Sequence, residues 1–156
     1  MSPRRAARHA RALVRWVGAI HGLDAESKRA LAEAGALLPG IHMSLRTRGL
    51  DRTRADLRRL VATRPRQEGT IDAHRVGLLL NELTFLGFGA FRCLARSLAL
   101  WTVLRRRGLE AEIQLGVPKA QGSTFVAHAW VTVGGRAIGE RGDVEARHRV
   151  FDRPLP

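Results

Sequence analysis

The chain contains one cysteine, Cys93, which is followed by His128 in an apolar run and by the carboxylate of Glu140. A cysteine thiolate can attack an acyl carbon, an imidazole can move the proton, and a carboxylate can orient the imidazole. These three residue types in this order are the minimal set for thiolate acyl transfer, provided that the fold brings them together.

Cys93 and His128 each have a plain structural interpretation when taken alone. A lone cysteine on an apolar helix face is often a small buried hydrophobe, and a histidine flanked by apolar residues is often a core residue bonded to a backbone carbonyl. Their order favours chemistry, because it places a cysteine at a helix start, a histidine within a strand and a carboxylate on the next strand.

The elements that must position these residues follow from the pattern between residues 93 and 140. From Cys93 the apolar residues recur at helical spacing, which predicts a helix that residues 105–107 and Gly108 end. The first turn of a helix favours a thiolate through its unpaired N–H groups. Residues 110–117, 125–133 and 136–140 have strand-like patterns, and residues 134–135 predict a hairpin turn.

The length of the hairpin loop decides whether Glu140 faces His128. A two-residue turn at 134–135 directs Glu140 away from His128, whereas a three-residue loop at 133–135 places the two residues directly opposite each other. We predict the three-residue loop, because it lets the carboxylate hold the second ring nitrogen. Asp143 is the alternative acid if Glu140 faces the other way.

Residues before 70 show no alternating β-branched run and read as helices. We expect them at residues 4–20, from Asp24 to Leu38 with Pro39-Gly40 as the end, and from Asp51 to about Thr63. A further helix follows, with Thr70 as its cap and the segment 87–89 as its end. The predicted fold class is α+β, with a helical N-terminal half followed by a core whose cysteine helix packs on a small antiparallel sheet.

The length of 156 residues predicts one domain, made of a basic helical subdomain at 1–69 and a core at 70–156. The net charge is +13, and only Lys28 and Lys119 among the 27 basic residues are lysine. The basic excess is larger before residue 70, which would steer acidic peptides, proteins or nucleic acids, although a biased base composition of the gene explains the arginines equally well.

The cysteine and histidine counts limit the remaining classes of protein. One cysteine excludes an internal disulfide, and the chain opens on no signal-peptide pattern, so we expect a soluble protein of the cytoplasm. No apolar stretch reaches the length of a membrane-spanning helix. The six histidines do not fall at metal-ligand spacing with one another or with Cys93, so we expect neither a metal nor a cofactor.

Three segments resemble a known family. They are C-L-A-R-S-L-A-L at 93–100, A-H-A-W-V at 127–131, and the G-x-x-x-G-E pattern that ends at Glu140. Together they resemble the transglutaminase-like cysteine peptidases of lasso-peptide biosynthesis, the B proteins that remove the leader from the precursor. The resemblance covers about the second half of the chain. It implies a cysteine endopeptidase in which Cys93 is the nucleophile and His128 the general base and acid, with Glu140 where many members carry Asp.

The resemblance also implies partners. Some members carry a winged helix-turn-helix domain with a three-stranded sheet that binds the leader, and residues 1–69 show no such strands. It therefore implies the split form, which acts on the lasso precursor with a separate leader-recognition protein and an ATP-dependent cyclase. The basic helices could contact that protein or an acidic part of the precursor.

Other residues of the matched segments have less defined roles. The backbone N–H of Cys93 is one expected oxyanion donor, and Gln114 is a candidate for the second, although a solvent-facing glutamine is the simpler interpretation. Trp130 can wall the site or fill the core, and Arg96 and Ser97 are expected to be structural.

Two alternative functions remain open at this stage. A related acyltransferase or amidase would use the same three residues, with an amine replacing water in the case of the acyltransferase. A basic nucleic-acid-binding module is suggested by charge alone, without a recognisable nucleic-acid-binding motif.

Overall fold

The computed structural model describes residues 3–63, 70–85, 93–119 and 127–151. Its elements are α1 (Pro3–His21), α2 (Ala25–Thr47), α3 (Gly49–Thr63), α4 (Ala73–Phe85), α5 (Cys93–Arg106), β1 (Ala111–Pro118), β2 (His128–Val133), β3 (Arg136–Ile138), α6 (Val144–Arg147) and β4 (His148–Val150). Helices precede a small antiparallel sheet, so the predicted α+β class is confirmed. Among the described helices, none combines the length and the apolar character needed to cross a membrane.

Helix α2 begins where predicted but does not end there. The side chain of Asp24 accepts a hydrogen bond from the backbone N–H of Ser27, as a helix cap does. The predicted end at Pro39 is wrong, since the helix continues through Pro39 to Thr47. Leu38 and Ile41 on either side of the proline are both buried. Burying such side chains contributes about 1.5–3 kcal/mol each, which offsets the roughly 3 kcal/mol that an interior proline costs.

Helix α4 begins at a different cap from the predicted one. The carboxylate of Asp72 accepts a hydrogen bond from the N–H of Arg75 at 2.9 Å, so Asp72 caps the helix and the prediction of Thr70 is wrong. The N–H of Asp72 also donates to the hydroxyl of Ser27, which joins the beginnings of α2 and α4. The predicted breaker at 87–89 lies outside the described residues.

Helix α5 lies at the centre of the molecule, in contact with α2, α3, α4, β1 and β2. Its predicted beginning at Cys93 is confirmed, and it ends before Gly108, which has a φ of +77°. Two side chains tie it to the sheet: the hydroxyl of Ser97 donates to the carbonyl of Ala129 at 2.9 Å, and the indole of Trp101 donates to the carbonyl of Ala111 at 3.0 Å. The helix that begins with the cysteine is thereby fixed against the strand that begins with His128.

The end of α5 is held by two arginines on one carboxylate. Glu33 of α2 pairs with both Arg106 and Arg107, the latter at 3.0 Å. Both arginines are buried, which ties the end of α5 to α2. The apolar core is continuous from Leu23 of the α1–α2 segment to Val131 of β2. The division of the chain at residue 69 stays a prediction.

The sheet has four strands in the order β3-β2-β1-β4, with antiparallel pairing throughout. The patterns at 110–117 and 136–140 predicted β1 and β3, although β3 ends at Ile138 and not at residue 140. Residues 125–126 of the predicted second strand lie outside the described part. Helix α6 and strand β4 were not predicted. Asp143 caps α6 by accepting from the N–H of Ala146 at 2.8 Å, and β4 pairs with the end of β1.

The predicted three-residue loop between β2 and β3 is wrong. Val133 pairs with Arg136, which leaves Gly134 and Gly135 as a two-residue turn. Both glycines have positive φ, +56° and +75°, as the tight hairpin turn that suits the sheet twist requires. With this register, a β3 strand that continued through residue 140 would direct Glu140 away from His128.

Candidate active site

Cys93 is the first residue of α5 and is half-buried. Burial acts to raise the pKa of its thiol, but hydrogen bonds from His128 and from the backbone of Ala129, together with the charges of His128 and Arg96, outweigh burial and lower the pKa from its ordinary 9.0. The N–H groups of the first helical turn have no partners within the helix and also favour the anion. The surroundings of Cys93 therefore favour a thiolate.

His128 opens β2 and lies beside both Cys93 and Glu140. Hydrogen bonds to Cys93 and then to Glu140, with the negative charges of both, raise the pKa of His128 from 6.5 to about 9, against the opposing effect of burial. An imidazolium next to a thiolate is the charge arrangement of an activated cysteine nucleophile.

The carboxylate of Glu140 lies 3.3 Å from Nε2 of His128, and both side chains are mostly buried. Because β3 ends at Ile138, Glu140 is not part of the strand. Gly139 has a φ of +74°, a conformation that glycine adopts readily, and it turns the chain so that Glu140 reaches the ring in spite of the two-residue turn.

The turn at Gly139 is held by α4. The side-chain amide of Asn81 donates to the carbonyl of Gly139 at 2.7 Å, and the N–H of Gly139 approaches Nδ1 of His74 at 3.4 Å. A β-carbon on Gly77 would lie only 2.7 Å from the Cα of Gly139, so the two backbones touch. Helix α4 thus fixes the segment that places Glu140 beside His128. The sequence pattern did not predict this contact of α4 with the turn.

Arg96 lies one helical turn after Cys93 and is half-buried. Burial lowers the pKa of its guanidinium, while the negative charges of Cys93 and Glu140 act to raise it. A cation so close to both anions stabilises their charged forms, an electrostatic role in addition to the structural one expected from the sequence.

Two aromatic rings surround His128. The ring of Trp130 stacks on that of His128 at a centroid distance of 5.8 Å. The ring of His148, the first residue of β4, lies at a centroid distance of 5.2 Å from that of His128. Nδ1 of His148 is 2.9 Å from the carbonyl of Val144. Trp130 is fully buried and forms one wall beside the imidazole. Sequence reasoning missed His148, because the three residues of β4 are too few to show alternation.

Two other predicted residues, Gln114 and Asp143, do not line the cavity that adjoins His128. Gln114 is half-buried and pairs with Trp130 across β1 and β2, but it does not line the cavity beside His128. Asp143, the alternative acid, uses its carboxylate to cap α6.

A cavity of about 640 Å³ adjoins His128 and Glu140. It lies between α1, α4 and the segment from Gly139 to Arg147. The charged residues of its described lining are Arg15, Glu82, Arg96, Glu140, Arg141 and Arg147. Its size is within the range of ligand-binding clefts, so a substrate could reach the imidazole from this side.

Within the described ranges, no group of three or more His, Cys, Asp or Glu side chains is arranged to hold a metal ion.

Comparison with known proteins identifies a family. The family model described as the transglutaminase-like superfamily matches residues 35–152, which include Cys93, His128 and Glu140. No curated protein and no solved structure matches the chain. The matched segment is most of the sequence and contains the cysteine helix together with all four strands. The chain therefore belongs to the transglutaminase-like superfamily.

Proposed function

We propose that this protein is a cysteine endopeptidase that cleaves the leader from a lasso-peptide precursor. The observation that carries the proposal is the 3.3 Å pair of His128 with Glu140, in a site where His128 also lowers the pKa of the Cys93 thiol. The superfamily match favours cysteine peptidase or acyltransferase chemistry. The more specific substrate rests on the resemblance of the segments 93–100, 127–131 and 135–140 to the lasso B proteins.

In the first half of the reaction, the thiolate of Cys93 attacks the carbonyl carbon at the junction between leader and core. Glu140 occupies Nε2 of His128, which leaves Nδ1 for the sulfur and the leaving group. The C–N bond breaks as His128 gives its proton to the departing amine of the core peptide. The products of this half are a free core amine and a leader thioester on Cys93.

In the second half, water attacks the thioester and His128 takes one proton from it. The C–S bond breaks, the leader leaves as a carboxylic acid, and the thiolate–imidazolium pair is restored. The backbone N–H of Cys93 begins a helix and serves as one donor to the oxyanion of both tetrahedral intermediates.

The proposal includes a leader-recognition protein in trans and an ATP-dependent cyclase that uses the released amine. The described residues before 70 form helices, whereas leader recognition in the fused form uses a three-stranded sheet.

The test is to incubate the protein with a lasso precursor peptide and a leader-binding protein, and to identify the products by mass spectrometry. We expect wild type to release intact leader and core, and Cys93→Ala and His128→Ala to release neither while keeping their circular dichroism spectra. Cleavage by Cys93→Ala would refute the peptidase. A leader joined to an added amine would identify an acyltransferase instead.

A further inference from the structure

The cavity beside His128 and Glu140 has a basic lining. Of the described residues, four arginines line it, namely Arg15, Arg96, Arg141 and Arg147, against the two carboxylates Glu82 and Glu140. The basic character expected from the net charge of +13 is therefore found at the entrance to the candidate active site as well as over the helices.

Part of this positive charge is neutralised within the protein. Arg141 pairs with Glu82 across the cavity. Arg96 lies beside the anions of Cys93 and Glu140. Both carboxylates of the lining are thus already engaged by arginines of the lining.

The other two arginines are available to a ligand. Arg147 donates to the backbone carbonyls of Asp143 and Arg141 and, within the described residues, to no carboxylate. The side chain of Arg15 is exposed, and among the residues described it makes neither an ion pair nor a hydrogen bond. Among the described residues, the cavity therefore has an excess of guanidinium groups that no acidic side chain offsets.

Arg15 is held at the cavity by the packing of α1 on α4. The indole of Trp16 donates to the carbonyl of Leu79 at 3.0 Å. The guanidinium of Arg75 donates to the carbonyls of Gly22 and Ala19, at 3.0 and 3.2 Å, at the end of α1. Helix α1 precedes residue 35, where the match to the superfamily begins, so Arg15 is a feature of this chain outside the matched segment.

We propose that this cavity binds an acidic stretch of the peptide substrate, with Arg15 and Arg147 contacting its carboxylates. The proposal rests on the proposed function, since it describes the peptide on which the peptidase acts. Guanidinium groups bind carboxylates through paired, charge-assisted hydrogen bonds. A peptide bound in this way has its backbone beside His128, because the same cavity is lined by the imidazole.

The test measures binding of short peptides that carry an uncharged fluorophore, using the full-length Cys93→Ala variant and fluorescence anisotropy. We expect an oligoglutamate peptide to bind more tightly than the matching oligoglutamine peptide and oligolysine not to bind. Raising the salt concentration should weaken the oligoglutamate complex. Equal binding of the glutamate and glutamine peptides would overturn the proposal.

A matched pair of charge reversals separates the cavity from the general charge of the protein. Arg15→Glu lies in the cavity, whereas Arg52→Glu lies on α3, which contributes no residue to it, and both arginines are exposed helical residues. We expect Arg15→Glu to weaken oligoglutamate binding by roughly fivefold or more and Arg52→Glu to change it little. Equal weakening by the two would mean non-specific attraction and would overturn the proposal, as would tighter, Arg15-dependent binding of a single-stranded oligonucleotide.

The binding assay and the cleavage assay test the two proposals independently. If oligoglutamate binding depends on Arg15 but the protein cleaves no precursor, the binding site for acidic peptides is supported and the peptidase proposal is refuted. If the protein cleaves the precursor but does not bind oligoglutamate in this way, the peptidase proposal is supported and the binding site for acidic peptides is refuted.

Discussion

Gly77 of α4 and Gly139 after β3 pack backbone against backbone. A β-carbon on Gly77 would lie 2.7 Å from the Cα of Gly139, and one on Gly139 would lie 2.6 Å from the carbonyl carbon of Gly77. Real β-carbons do not approach other atoms so closely. Because Gly139 immediately precedes Glu140, this contact sets where the carboxylate meets His128.

Gly77→Ala is expected to displace Glu140 from His128. Alanine normally stabilises a helix by about 1 kcal/mol relative to glycine. At this position its methyl group would clash with the backbone of Gly139, which cannot move without strain. We expect a net loss of about 1–3 kcal/mol in the free energy of unfolding, measured by urea denaturation. We also expect slower cleavage, because the displaced carboxylate no longer orients the imidazole.

Gly35→Ala is the matched control, since Gly35 also lies within a helix. Among the described residues, a β-carbon there meets only Leu83, at 4.0 Å, which is ordinary contact. We expect unchanged cleavage and an unfolding free energy that is equal or higher. Destabilisation of both variants to the same extent would show that helical glycine itself, and not the contact with Gly139, is responsible.

Glu140→Gln tests the role of the carboxylate. The substitution keeps the size of the side chain and removes the negative charge that helps to hold the pKa of His128 near 9. We expect that pKa to fall, measured by NMR titration of the ring, and the cleavage rate to fall by about 100-fold or more.

Asp143→Asn is the control for Glu140→Gln. Asp143 is the next carboxylate along the chain, and it caps α6 by accepting from the N–H of Ala146. Asparagine caps helices as well as aspartate does, so the fold should persist. We expect near-wild-type cleavage, and a loss as large as that of Glu140→Gln would identify Asp143 as the functional acid.

Local patterns were sufficient to predict the elements that contain Cys93 and His128. The helical spacing after Cys93 and the alternation in 110–117 arise because some side chains face the core and others face solvent. The order of apolar and polar residues in the sequence shows this pattern directly. Gly108 marked the end of α5 because a left-handed backbone there favours glycine. The helix, its end and the neighbouring strands can therefore be predicted from the sequence alone.

The approach of Glu140 to His128 could not be derived from the hairpin pattern. The predicted loop length was wrong, and the contact depends on Gly139 meeting Gly77, which belongs to another part of the chain. Nothing in the spacing near residue 140 indicates that approach. His148 was missed for a similar reason, because β4 is defined by its pairing with β1 and not by a pattern of its own.

Pro39→Ala tests why α2 continues past its proline. Pro39 is exposed and lies between the buried residues Leu38 and Ile41. Alanine restores a backbone N–H and removes the ring, a gain of up to about 3 kcal/mol that the greater freedom of the unfolded chain reduces by about 1 kcal/mol. We expect the free energy of unfolding to rise by about 2 kcal/mol in urea denaturation. A decrease would show that the helix requires the proline geometry.

The pH dependence of alkylation tests the pairing of Cys93 with His128. Iodoacetamide reacts with thiolate, and the only cysteine is Cys93, so the rate reports its ionisation. The imidazolium stays protonated up to about pH 9, while the thiol ionises below its ordinary 9.0, so the pair exists in the interval between the two pKa values. We expect the midpoint of the rate in wild type to lie below pH 9, and the midpoint in His128→Ala to be higher, because burial of the thiol then raises its pKa with less opposition. A midpoint that is the same in both proteins would contradict the pairing.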